Sequence, residues 1–468
     1  QWSVNGSRDS STEFMMDGAS NNGQAGGNNI AYVPIVDAVQ EFTMQMNLYN
    51  AEYGKTGGGI MNVVLKSGTN TFHATGWEYM RRTQLDANTF QNNAIPASAT
   101  NPTGGAARPN HFLDQYGFQL EGPVYLPKLL KKDGRVKLFY LGSFENYREG
   151  TPNPLIVSYP TADMRAGDFS KLTNASGQPI VLYNPYDYTL DASGNPVRKP
   201  FANNTIPSSM ISPIAQNVTK FMPMPNQATA SGNRYGTLNT YFPAYFDADK
   251  FYNLILKFDW NFGDKHRAFF RHASNDRTED RASNGIDNKP GTDGQQPFQR
   301  INDAYAFDWV GTITPTFVLN ARASYNRFIE KGYGKANAGF DVTSFGLPSS
   351  LVSQLPSPIY FGRWNFYNGN SGSTAIYNPL GRSQSNNFTN TYQLSFSATK
   401  IWGKHTMKAG MDVRQINYLL QNTGDILQFN SYAGYTQKSW NQADSTSGDP
   451  FATFLLGIPE GNSNYPLF

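Results

Sequence analysis

The stretch FYNLILKFDW, residues 251–260, sets the tightest limit on what this chain can become. In an extended backbone Tyr252, Leu254, Leu256, Phe258 and Trp260 share one face, and Asn253, Lys257 and Asp259 share the other. The pattern recurs. Phe317, Leu319, Ala321, Ala323 and Tyr325 alternate with Asn320, Arg322, Ser324 and Asn326. Met407, Ala409, Met411 and Val413 oppose Lys408, Asp412 and Arg414, and Tyr392, Leu394, Phe396 and Ala398 oppose Gln393, Ser395 and Ser397. Tyr116, Phe118 and Leu120 oppose Gln115, Gln119 and Glu121. A period of two with one apolar and one polar face is a strand signal, and it excludes an α-helical domain. These segments run roughly 10 to 13 residues, about twice the usual soluble strand, whereas a tilted strand crossing a bilayer needs about 9–11.

The connections alternate as well. Tight turns are expected near Asp133-Gly134, Gly263-Asp264, Thr314-Pro315 and Gly403, and long polar stretches at 82–113, 148–249, 276–301 and 329–388. Short turns at one end and long loops at the other are the build of an outer-membrane barrel. A large soluble β-sandwich or propeller also alternates, but its strands are seldom so long with a second face so polar. Nine such strands run from near Phe72 to near Tyr418. An odd, unclosed set leaves bare edges, and backbone polar groups at an edge have no partners in lipid. The expected fold is therefore all-β: a transmembrane antiparallel β-barrel, partial and not closed by this chain alone, belonging to a longer protein.

Composition narrows the function classes. Aromatic residues make up 14% and charged residues 16%, against about 25% charged in an ordinary soluble domain. That suits a turn-rich β-protein and not a disordered one. A net charge of +3 is too mild to argue for nucleic acid, and the absence of cysteine excludes disulfides, thiolate metal sites and a cysteine nucleophile. No apolar run is long enough for a transmembrane helix. The opening QWSVNGSRDSS has neither a signal peptide nor an initiator Met, as expected of a start inside a longer protein.

EYGKTGGGIMNVVLKSGTN, residues 52–70, holds a Gly54-Lys55-Thr56 that could end a phosphate-binding loop. Such a loop needs glycine at position 49, where Tyr49 stands, and a helix afterwards. Gly57-Gly58-Gly59 and a β-branched run follow instead, so the nucleotide reading fails.

The flanks carry more. RDSSTEFMMDG, then PIVDAVQEFTMQMNLYNAEYGKTGGGIMNVVLKSGTNTFHATGWEYMRRTQLDANTF, resembles the end of the plug and the first barrel strand of TonB-dependent outer-membrane receptors, nearest the Oar-like group. DQYGFQLEGPVY, VKLFYLGSFENYREG, YPTADMRAGDFS and GDPFATFLLG continue the likeness over nearly the whole chain. The chain departs from it at Glu121-Gly122-Pro123, where members usually have Gly-Gly-Pro. The resemblance implies residues 1–70 as the C-terminal part of a small α+β plug, and 71–468 as the N-terminal portion of the barrel with long extracellular loops. It also implies location in the outer membrane of a Gram-negative bacterium, among its lipids, and a TonB-ExbB-ExbD complex that pulls on the plug. The expected function is energy-coupled passage of a bulky, unidentified solute, with no catalysis and no cofactor. Alternatives are a surface-exposed adhesive or structural β-protein, a protein-export component, and, more remotely, a secreted carbohydrate-active enzyme, against which the lack of a paired-carboxylate frame counts.

Within that resemblance Asp17, Gly18, Glu52, Gly54, Gly57, Gly58, Gly59, Lys66 and Gly68 form a structural or hinge motif of the plug. Asp17-Gly18 reads as a turn closing a hairpin, Ile60–Lys66 as a plug strand, and residues 67–70 as the turn into the wall. The glycines read as positions of unusual backbone angle or close approach, in a tight turn of a rigid plug or in a hinge. Lys257, Asp259, Arg267, Arg271, Arg322, Asp412 and Arg414 lie on expected inward faces, where they pair with one another, grip the plug or guide a charged solute. Tyr147, Trp260, Trp309, Tyr325 and Trp402 are expected in interfacial girdles. The five histidines are scattered. His266 and His272 share a strand face about 20 Å apart, too far to chelate one metal. The acidic runs 247–250 and 276–288 lack the ligand spacing of a calcium loop.

Overall fold

The computed structural model describes residues 4, 6–7, 11–23, 30–46, 50–53, 57–88, 90–94, 97, 103–105, 108–125, 131–132, 135–152, 155–174, 176–226, 233–234, 240–242, 246–280, 289–292, 298–332, 337–355, 357, 359–368, 375–381, 385–422, 427–439 and 444–458. The turn expected at Asp133-Gly134 lies outside them.

Nine strands form one large sheet, the wall, in sequence order, each antiparallel to the next. They are His73–Arg82, Phe112–Pro123, Leu138–Pro152, Phe246–Asn261, His266–Asp280, Phe298–Thr314, Phe317–Gly332, Ser385–Trp402 and His405–Asn422. The edge strands His73–Arg82 and His405–Asn422 do not pair with each other. Several strands run 15 to 18 residues, past the ends read from the sequence. Their outer ends are polar on both faces, so alternation fades there while the ladder continues. Ion pairs hold those ends: across strands Arg277 pairs with Asp249 and Arg300 with Glu279 and Glu330, and within its strand Arg277 also pairs with Glu279.

The wall is apolar outside and polar inside. Leu394 is 63% exposed, while Gln393 beside it is 2% exposed and Arg271 is 2% exposed. Tyr116, Phe118, Tyr252, Phe258, Phe396, Met407 and Met411 are exposed on the outer face. Water would oppose that arrangement, and hydrocarbon favours it. From Tyr392 to Trp402 the strand climbs about 34 Å, or about 26 Å along the membrane normal at a tilt near 40°, which matches the apolar band of such barrels. His272, Tyr305, Tyr325 and Tyr392 occupy facing positions on four consecutive strands and form an aromatic row, with centroids 4.6, 6.4 and 4.9 Å apart. Trp260, Trp309, Tyr325 and Trp402 share the outer face, as expected of a girdle. Tyr147 does not. It shares the inner face with Glu145 and Glu149, stacks on Phe251 at 4.5 Å and donates its hydroxyl to Glu149.

A second, four-stranded sheet lies against the polar face of the wall. Its strands are Glu13–Met16, Ala19–Ser20, Val39–Gln45 and Ile60–Leu65. Asp17-Gly18 closes the first hairpin with φ of 49° and 75°, as a two-residue turn with both angles positive demands. Ile60–Leu65 pairs parallel to Glu13–Met16 and antiparallel to Val39–Gln45. Among the described residues of this part, helical structure is one 3₁₀ turn, Val36–Ala38. A small apolar cluster seats the sheet: Met16, Tyr32, Ile35, Ala38 and Leu65 pack on Leu141, Ile255, Ala273 and Ala304 of the wall.

The long connections, expected from the sequence to be loops, contain a third body. Segments from 157–222, 340–380 and 427–458 share one hydrophobic core that includes Phe169, Phe345, Phe366 and Phe451. This head contains helices Ala162–Arg165, Pro213–Thr219, Ser349–Val352 and Pro450–Leu455, and a parallel pair, Arg363–Tyr367 with Gln428–Tyr432. Asp449 caps Pro450–Leu455, accepting from the N–H groups of Phe451 and Ala452 at 2.8 and 3.0 Å. Arg165 ties its own helix to the end of another by donating to the carbonyls of Pro160, Met222 and Pro223.

Candidate functional site

The chemistry of the molecule concentrates where the inner sheet meets the wall. Strand register places Lys257 opposite Arg271, Ser324 opposite Gln393, and Gln393 opposite Arg414. One step toward the tight turns, Asp308 faces Arg322, Arg322 faces Ser395, and Ser395 faces Asp412. Because side chains alternate along each strand, all of these project from the inner face and form a polar belt two residues deep.

The hairpin of the inner sheet docks into this belt. The Asp17 carboxylate lies 3.0 Å from Arg271 Nη1 and 3.6 Å from Lys257 Nζ, and it accepts from the Leu65 N–H at 2.9 Å. Arg271 also donates to the Met16 carbonyl at 2.7 Å, and Lys257 to that of Leu65 at 3.2 Å. Arg322 donates to the Gly18 carbonyl at 2.8 Å while paired with Asp308. The Ser20 N–H donates to Gln393 Oε1 at 3.0 Å. Toward the edge, Arg414 joins Glu13 to Asp412, and Asp412 also accepts from Gln393 and Ser395. The exposed pair Lys408–Glu52 lies farther out.

Gly18 suits both the turn and the contact. Its φ is positive, and a β-carbon there would lie 2.2 Å from Arg322 Nη1. The belt thus ends on the tip of the hairpin and on the end of its neighbouring strand. Asp17, Lys257 and Arg271 are buried together. Removing Asp17 would leave Lys257 and Arg271 buried without their shared carboxylate, at a cost of about 3–5 kcal/mol.

Of the inward-facing residues expected from the sequence, Lys257, Arg271, Arg322, Asp412 and Arg414 meet in this belt. Asp259 is at its margin, 4.0 Å from Lys257. Arg267 shares the inner face but is exposed and outside the belt. Among the glycines, Gly58 and Gly68 allow close approach: a β-carbon would lie 2.5 Å from the Ser11 carbonyl in one case and 2.5 Å from that of Tyr140 in the other. Gly59 touches Val4, and Gly57 has open space around it. None of Gly57, Gly58 and Gly59 has a positive φ, so the expectation of left-handed backbone angles is overturned there; Gly57 and Gly58 form a bend that leads into Ile60–Leu65. Lys66 extends that pairing, its N–H donating to the Ala38 carbonyl. Gly54 lies outside the described residues.

Glu13, Asn62 and Asp308 complete the belt and escaped the sequence reading. Asn62 accepts from the Gly18 N–H at 3.1 Å. Alternation in YAFDWV, 305–310, would have placed Asp308 inward; Glu13 and Asn62 sit in strands whose partners are distant in sequence. In the acidic run 247–250, Asp249 is paired with Arg277. Residues 281–288 of the second run lie outside the described residues. Among the described residues no group of three or more His, Asp or Glu is placed to hold a metal ion.

Residues 64–466 match the family described as outer membrane beta barrel domain. The TonB-dependent transporter Oar of Myxococcus xanthus is 32% identical over 127 residues, which is 27% of this chain and 11% of Oar. The siderophore receptor PirA from Acinetobacter baumannii is similar with a TM-score of 0.43 at 12% identity, over 87% of this chain and 40% of that one. The outer membrane transporter YddB from Escherichia coli is similar with a TM-score of 0.38 at 9% identity, over 89% and 47%. The chain therefore spans less than half the length of these relatives. With the family match covering most of its length, and an apolar-out, polar-in antiparallel wall beneath that match, the chain belongs to the outer-membrane β-barrel domain family and is located in the outer membrane.

Proposed function

We propose that residues 1–70 are part of a plug seated in a barrel wall formed from residue 71 onward, and that the protein admits a bulky solute when a TonB-ExbB-ExbD complex pulls on that plug. One observation carries this reading. No main-chain ladder joins the inner sheet to the wall among the described residues; side chains hold it there. Each sheet keeps its own backbone pairing, so the inner sheet can leave as a unit once the belt around Asp17 and Gly18 is broken. The buried Asp17 group is the strongest hold in that belt, and the exposed Glu52–Lys408 contact the weakest. Gly57, around which a β-carbon would find open space, serves in this reading as the pivot. The head supplies the first surface a solute meets.

A second reading, a surface-exposed adhesive protein without uptake, draws on the head and its separate core. One experiment divides the two. Ser20→Cys in the full-length protein places a thiol at the belt, in a stretch of 468 residues that has none. In living cells a membrane-impermeant maleimide is expected to label it several-fold faster when TonB coupling is intact than when TonB is deleted. Labelling that ignores TonB would overturn the transport reading and favour the adhesive one.

A further inference from the structure

Among the described residues, every ion pair between residues 1–70 and the wall runs the same way: the carboxylate belongs to the inner segment and the cation to the wall. Asp17 meets Arg271 and Lys257, Glu13 meets Arg414, and Glu52 meets Lys408. Lys257 and Arg271 face each other across their strand pair and are 4% and 2% exposed. Like charges so placed repel, and burial removes the water that would screen them, so the two need a shared anion. With the hairpin seated, Asp17 is that anion.

Withdrawal of the hairpin takes Asp17 away, and among the described residues no acid of the wall takes its place. Asp308, diagonal to Arg271, is held by Arg322 through two nitrogens, each at 2.8 Å. Asp259 lies 4.0 Å from Lys257. Glu121, beyond Leu141 on the row of Lys257, stands 3.9 Å from His73. Glu145 is two rows higher, where Gln115 donates to it, and Asp412 stays with Arg414 at 2.7 Å. Lys257, Arg271 and Arg322 are thus left with Asp259 and Asp308, and Arg267 adds a further cation to the same face. An arginine fork beside a lysine ammonium suits a carboxylate or a phosphate.

We infer, on the reading that the plug is pulled aside, that the solute carries an anionic group, a carboxylate or a phosphate, and that Lys257 and Arg271 receive it in the place Asp17 leaves. Seated, Asp17 fills the site and keeps it neutral. Withdrawn, it opens a cationic step on the wall, and a cationic solute is repelled at the same point.

Ala306→Cys places a thiol directly opposite Arg271, on the inner face at a position that is 2% exposed. Living cells expressing the full-length protein are treated with one of two membrane-impermeant methanethiosulfonates, bearing either a sulfonate or a trimethylammonium group. The parent without the new thiol serves as the blank, and each rate is divided by that of a free thiol in solution. With TonB intact, the sulfonate reagent is expected to gain about tenfold over the ammonium one relative to a D17N/K257Q/R271Q background, in which the three charges leave together. The same preference in both backgrounds, with labelling still dependent on TonB, would overturn the anionic solute and leave the plug reading standing. Labelling that ignores TonB would overturn both. Heat-modifiable gel mobility reports folding. Should the triple variant fail to fold, K257Q alone and the salt dependence decide: a preference unchanged by K257Q, or by a rise in salt of about tenfold, would contradict the proposal.

Discussion

Leu394 in the wall and Leu190 in the head are exposed to almost the same degree, 63% and 64%, yet they belong to opposite worlds. Around Leu394 the exposed positions are Tyr392, Phe396 and Met411, and the buried ones are Gln393, Arg271 and Lys257. The head has the core of a water-soluble body, with Phe169, Phe345, Phe366 and Phe451 buried together, and Leu190 lies outside that core on a hairpin strand beside the exposed Tyr186 and Tyr188. The head is held by apolar area removed from water. The wall gains little that way, because its apolar face stays exposed to solvent of its own kind. It rests on its backbone ladder and on a polar interior in which charges find partners. One chain thus builds two cores with inverted chemistry, and exposure alone does not tell them apart; the surrounding medium does.

If the two cores are separate, damage to one should spare the other. Phe451→Ala, at a fully buried position in the head, is expected to cost the head about 3–5 kcal/mol. Limited proteolysis in rising denaturant should cut the head early while the wall keeps its heat-modifiable mobility. Loss of both together would break the comparison.

A smaller effect sharpens it. Asp449 is buried in the head, where desolvation pushes its carboxyl up to about 6 although Phe451, Ala452 and the Tyr377 hydroxyl donate to it. A carboxyl whose folded value lies above its unfolded value binds its proton more tightly in the folded state. The stability that proton supplies is fully present below pH about 4 and is lost as pH rises through about 6. The head is therefore expected to unfold more easily at pH 7.5 than at pH 5, by on the order of 1 kcal/mol. Asp449→Asn should flatten the profile. A wild-type head whose stability is flat or rises over that window would contradict the assignment.

The wall was legible in the sequence because its order is local. Alternation within FYNLILKFDW or TYQLSFSAT fixes which side chains share a face, and nine strands were counted and nine are present among the described residues. Asp17-Gly18 and Ile60–Lys66 were legible for the same reason: two-residue turn chemistry and a β-branched run act over a few residues. The head was not, since its core draws Phe169, Phe345 and Phe451 from segments more than a hundred residues apart, in short pieces with no period. GDPFATFLLG did hold a signal, an Asp cap followed by Pro and an apolar run, which is the start of a buried helix. The belt was half legible. Periodicity put Lys257, Arg271, Arg322, Asp412 and Arg414 on the inner face, but their partners Glu13, Asn62 and the carbonyls of Met16 and Gly18 come from a sheet some two to four hundred residues away. Tyr147 was misplaced because an aromatic near a strand end suits either face until register is known.

The claim on which the rest stands is that Leu394 faces lipid and Leu190 faces water. The same substitution tests both: L394R and L190R in the full-length protein, folded into phospholipid vesicles and titrated with denaturant. The expected result is a loss of about 2–4 kcal/mol for L394R and a change within about 0.5 kcal/mol for L190R. Equal, small effects at both positions would mean that the wall's outer face is wet, and would contradict the account.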